Sequence, residues 1–164
     1  MIALHRFAVT LAAALALTAC ASGVETFQTD EFLVEQTLRG IDRPGDSVEV
    51  AITALRVEGQ VLRLELAITP LFATTSEDLE LRLEDLEPRY FDQPVLVDRV
   101  NLQRYEVVGG DGSDPYQSPR ETKTDNGGTM RAYYYYAAPQ EGVDVLDVVL
   151  SDAYPAFTDV PVGR

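Results

Sequence analysis

An all-β chain folded as an antiparallel sandwich of about six to eight strands is what the sequence predicts. Three observations carry this. Apolar residues recur at every second position, clusters of Gly, Pro, Asn and Asp interrupt the runs at strand-length intervals, and the body holds no long amphipathic helical stripe. In Ser47–Ala54, Val48, Val50 and Ile52 alternate with Glu49, Ala51 and Thr53. Glu58-Gly59-Gln60 then marks a turn. In VLRLELAIT, which follows it, Leu62, Leu64, Leu66 and Ile68 share one face while Arg63 and Glu65 take the other, predicting a hairpin with one buried and one wet side. Pro70 is expected to close that strand.

The next segment, SEDLELRLEDLEP, fits two periods. Leu79, Leu81 and Leu83 fit a strand, and Leu79, Leu83 and Leu86 fit a helical face; the strand is preferred because Leu81 falls off the helical stripe. Its acids, among them Glu80, Glu84 and Asp85, read as a solvated face. Strands are expected over Val95–Val100, Tyr105–Val108, Met130–Ala137 and Val143–Leu150. A turn-rich loop spans Gly109 to Gly128, and Ala156–Val162 supplies an edge strand that tolerates Pro161. This strand number and spacing points to an immunoglobulin-like sandwich, without the Cys and Trp of antibody domains; a small barrel is the alternative.

The first residues have a different character. His5 and Arg6 precede 13 uncharged residues, Phe7 to Ala19, too few for the roughly 20 a membrane-spanning helix needs and well matched to a secretory leader. The leader ends in Leu17-Thr18-Ala19-Cys20, and Cys20 is the only cysteine. This tetrad resembles the lipobox of bacterial lipoproteins. The resemblance implies cleavage between Ala19 and Cys20 and a diacylglyceryl group on the Cys20 sulfur. Two acyl chains hold a protein on a membrane stably, whereas one does not. The expected organisation is a signal peptide over 1–19, a lipidated cysteine and polar tether over 20–30, and one domain over 31–164. The chain is then held by lipid on the extracytoplasmic side of the cell envelope.

Composition removes whole classes of chemistry. The sole histidine lies in the leader, so the body lacks histidine and any unmodified thiol. Ser-His-Asp and Cys-His catalysis, and zinc or copper sites built on those ligands, are excluded. A net charge of −14 disfavours nucleic acid as a partner. Carboxylate chemistry and hard-cation binding remain. They leave two alternatives to a plain binding module: a carboxylate-dependent hydrolase of wall glycan, and a calcium-stabilised adhesion module. Asp111, Asp114 and Asp125, with Asn126, are the calcium candidates, though their spacing is not that of an EF-hand. No cofactor is called for.

Tyr133 to Tyr136 form an unbroken run. On a strand, Tyr133 and Tyr135 share one face and Tyr134 and Tyr136 the other. One pair is expected in the core; Tyr133 and Tyr135 are the candidate surface for a protein or glycan ligand.

VLVDRVNLQRY (Val95–Tyr105), the Gly-Asp-Gly after it, AAPQEGVDVLDVVL (Ala137–Leu150) and Asp159-Val160-Pro161 resemble an immunoglobulin-like domain of unknown function found in exported bacterial lipoproteins. In some of those proteins the domain precedes an OmpA-like peptidoglycan-binding domain; no such segment occurs in these 164 residues, so the resemblance does not extend to that domain's wall-binding role as an expectation. The expectation is a non-enzymatic envelope protein that presents a binding surface.

Overall fold

The computed structural model describes residues 33–40, 43, 45–73, 80–86, 90, 93–109 and 117–164. Among the described residues, ten strands and one helical turn form an all-β antiparallel sandwich. The first sheet has the order β1-β2-β3-β8, from β1 (Val34–Arg39), β2 (Ser47–Glu58), β3 (Val61–Leu71) and β8 (Met130–Ala137). The second has the order β10-β9-β5-β6, from β5 (Val95–Asp98), β6 (Gln103–Tyr105), β9 (Val145–Val149) and β10 (Phe157–Pro161). A two-stranded pair, β4 (Glu80–Arg82) with β7 (Lys123–Asp125), stands apart from both.

The inner pairs are connected crosswise. β3 leads to β5 in the other sheet, β8 leads to β9, and β3 pairs with β8 as β5 pairs with β9. This crosswise connection interlocks the two sheets of the sandwich. Side chains of both sheets meet in one core. Leu62, Leu64, Leu66 and Ile68 from β3 pack with Leu96, Leu146 and Val148 from the second sheet.

The long hairpin forms as the alternation predicts, and a bulge lengthens it. Ile52 pairs with Leu66 but Ala54 with Glu65, so Thr53 is an extra residue on β2. The bulge moves the inward positions from Val48, Val50 and Ile52 to Leu55 and Val57. A strict period of two therefore loses the strand near Ala54, although β2 runs on to Glu58. Pro70 does not close β3. It sits within the strand opposite Val48, and its carbonyl accepts from Gly127 N. Its missing N–H thus faces the side of β8, beyond the Ile68–Met130 end of that ladder, where no donor is needed.

The segment with two periods does both things. β4 is three residues long, and α1 (Leu83–Leu86) follows as a single helical turn. Asp85 accepts a hydrogen bond from Arg82 N at 2.9 Å, the reach-back half of a capping box, which turns the chain into α1. Leu81, Leu83 and Leu86 are all buried; Leu79 lies outside the described residues.

Three further boundaries move. β5 stops at Asp98 and β6 takes Gln103–Tyr105, in place of strands over Val95–Val100 and Tyr105–Val108. β9 is Val145–Val149. The expected loop from Gly109 contains β7 and a bridge from Gln117 to Tyr134. Ser118 N donates to Tyr133 O and Val108 N to Tyr135 O, so this segment covers the outer edge of β8. β10 is an edge strand, with Pro161 opposite Val145.

One end of the sandwich gathers several connections. The β2–β3 turn, the 138–144 link and the β5–β6 turn all lie there, as the antiparallel registers require. Gly163 fastens that end: its N–H donates to Leu55 O and its carbonyl accepts from Val57 N, a parallel bridge joining the segment after β10 to β2.

Candidate functional site

β8 sorts its tyrosines by face. Tyr134 and Tyr136 are buried, and the Tyr136 hydroxyl donates to Pro94 O at 2.9 Å. Burial pushes the Tyr136 phenol well above its ordinary pKa, so it stays protonated and a donor. Tyr133 and Tyr135 turn outward and are half-buried. Their rings meet edge to face, with centroids 5.9 Å apart and planes at 70°.

The register of β3 on β8 sets Arg63 opposite Tyr135 and Glu65 opposite Tyr133. The Arg63 guanidinium carbon lies 5.5 Å from the Tyr133 centroid and 5.8 Å from that of Tyr135, within cation–π range of both. Arg56 and Glu58 of β2 complete the patch. Glu58 meets Arg56 at 2.8 Å and Arg63 at 3.7 Å, and Glu65 meets Arg56 at 2.9 Å and Arg63 at 3.2 Å. The Glu58 carboxyl is held below its ordinary range, chiefly by the Arg56 hydrogen bond, which in turn raises Arg56. Two cations and two anions therefore alternate around a closed square, with a tyrosine pair along one side. All four charged side chains keep part of their surface in water, so each pair contributes little stability alone. The square holds the rings in place, and both of its carboxylates are already paired with guanidinium groups. Chemically it can stack, donate phenol hydrogen bonds and match a polar partner.

The other expected residues fall elsewhere. Cys20 and Ala19 lie outside the described residues, as do Asp111 and Asp114. Asp125 is exposed on β7, away from the tyrosine patch. Asn126 spends its side chain on the backbone, its Oδ1 accepting from Phe72 N at 2.9 Å and its Nδ2 donating to Phe72 O at 3.0 Å. Among the described residues no group of three or more His, Cys, Asp or Glu side chains is placed to hold a metal ion, and no helix is long and apolar enough to cross a membrane. Glu80 pairs with Lys123 at 2.6 Å and Glu84 with Arg82 at 3.2 Å.

A second surface escapes the sequence reading. Asp98 is buried where β5 ends. Its Oδ1 accepts from Val100 N and Asn101 N, each at 2.9 Å, and its Oδ2 from Asn101 Nδ2 at 2.7 Å. The Asn101 side chain, followed by these backbone donors, lowers the Asp98 pKa. The turn so formed leaves Val100 86% and Leu102 90% exposed, with Leu102 at a φ of 53°. The alternation of Val100 and Leu102 reads as more strand; the available signal for a turn is Asp98 three residues before Asn101.

Comparison of the chain with protein-family models, with curated proteins and with solved structures finds no match.

Proposed function

We propose that this chain is a lipid-anchored protein of the bacterial cell envelope whose sandwich is a non-catalytic binding module. One observation carries the reading: the single cysteine stands at the end of an uncharged leader, in the tetrad Leu17-Thr18-Ala19-Cys20. The binding surface in this reading is the outward pair Tyr133 and Tyr135 with Arg63, which meets an envelope protein or a glycan. What supports binding over catalysis is the inventory of the body, without histidine or a free thiol, and a patch whose charges are neutralised by one another.

Fractionation of cells expressing Cys20→Ala tests the anchor. The wild-type chain is expected in the membrane fraction and the variant in the soluble one; full membrane retention of the variant refutes the anchor. Co-sedimentation with purified wall sacculi tests the glycan arm. Binding by wild type that is lost in Tyr133→Ala/Tyr135→Ala is the expected result, and equal binding by both removes the tyrosine pair from the site.

A further inference from the structure

We infer that the β5–β6 turn is a wedge by which the sandwich touches a phospholipid bilayer, with Val100 and Leu102 entering the interface. The inference rests on the anchored reading for the nearness of the membrane.

Exposure is the first ground. Val100 and Leu102 are 86% and 90% exposed, whereas the next most exposed large apolar side chain among the described residues is Val145 at 42%. Isolated exposed apolar residues are ordinary, but two on one protruding turn, with a leucine in the left-handed region, are not. Leu102 has a φ of 53°, and the other non-glycine of positive φ among the described residues is an aspartate, Asp159. A leucine gains nothing locally from that conformation; asparagine or glycine would take it at lower cost.

The turn is also prepared to leave water. The N–H groups of Val100 and Asn101 are already bonded to Asp98, so an apolar medium strands neither. From Arg99 to Tyr105 the chain has no acid, although it carries 27 in all. Arg99 keeps 56% of its side chain exposed while bonded to Asp147 and Asp159, and Arg104 lies near Glu106 at 3.5 Å. Both cations of the turn are thus paired with acids, and the apolar pair alone favours the interface.

Area and position favour a bilayer over a protein. Two side chains on a convex turn fall far short of the roughly 800 Å² per partner of a stable protein interface. A tethered domain needs much less, because the tether supplies the effective concentration. β1 starts opposite Ile52, midway along β2, and runs away from the Glu58 end, the end that carries the β5–β6 turn. The stretch from Cys20 to Leu33 spans at most about 45 Å when fully extended, which keeps that turn within reach of the lipid.

The test uses the full chain with Cys20→Ser and an N-terminal histidine tag, held on phosphatidylcholine–phosphatidylethanolamine vesicles by a chelating lipid. Nearness then does not depend on lipidation. Leu102→Cys supplies the only thiol for an environment-sensitive fluorophore, and Asp152→Cys marks the opposite end. Label at 102 is expected to shift to the blue on vesicles and to be quenched by doxyl-labelled acyl chains. Label at 152 is expected to do neither, and adding Val100→Asp should return label 102 to its emission in water. Unshifted emission at 102, or equal behaviour at the two positions, overturns the wedge and leaves the apolar pair to a protein partner. The anchor is read separately by the Cys20→Ala fractionation, so either idea can fail alone.

Discussion

Two hairpins reverse direction at the same end of the sandwich, and they do so with opposite chemistry. The β2–β3 hairpin turns through Glu58-Gly59-Gln60 with Gly59 at a φ of 67°, where an added Cβ would meet nothing within 4 Å. The β5–β6 hairpin puts a leucine in the same left-handed region and projects it into solvent. The first is a turn chosen for folding alone, polar and free of strain. The second is held by a buried carboxylate and carries a backbone cost that folding does not require. Backbone strain paired with apolar exposure is what separates a surface kept for contact from one that merely connects strands.

Substitutions can break this comparison. The largest effect is expected in the long hairpin itself: Leu64, wholly buried, should cost about 2–5 kcal/mol of stability as Leu64→Ala in chemical denaturation. Leu102→Ala removes the same atoms and should change stability by no more than about 0.5 kcal/mol. If the two changes cost the same, Leu102 packs against the fold and the contrast is lost.

Exchanging the turn chemistry sharpens it. Gly59→Ala should destabilise by about 1–2 kcal/mol, entirely from the left-handed backbone. Leu102→Gly should stabilise by less than that, because glycine gains freedom in the unfolded chain as it relieves the turn. Thermal melts of the two variants should therefore move in opposite directions.

Acid gives the smallest effect. The Asp98 carboxyl is depressed in the fold, so its stabilisation is complete above the ordinary aspartate value of about 3.9 and is lost as pH falls below it through the folded pKa. The Val100 and Asn101 amide resonances should shift only in that acid range. Asp98→Asn, which carries no titrating group, should abolish the transition at the β5–β6 turn and leave the acid response of Glu58 in place.

The strands that could be read were those whose alternation is unbroken. Met130–Ala137 has its predicted bounds because the inward Met130, Ala132, Tyr134 and Tyr136 never miss a beat. β1 escaped because Gln36 occupies the inward position between Val34 and Leu38, which hides the period. β4 is legible because Leu81 lies off the helical stripe, whereas β7, at three residues, is too short for any period to show; with β1 it raises the strand number among the described residues to ten. In the candidate site the outward placing of Tyr133 and Tyr135 follows from alternation alone. Arg63 between their rings does not, since it depends on which strand β8 pairs with and in what register. The turn at Asp98 was hidden for a third reason. One buried side chain overrides an apolar pattern that continues past it.

The parallel bridge at Gly163 has a consequence in time. β1, β2 and β3 can zip together once residue 71 has been made, but β3 then waits for β8, and the far half of β2 waits for residues 162–164. Contacts so distant along the chain close slowly. The early hairpin is therefore an open sheet whose edge and far half are completed only by the last residues of the domain.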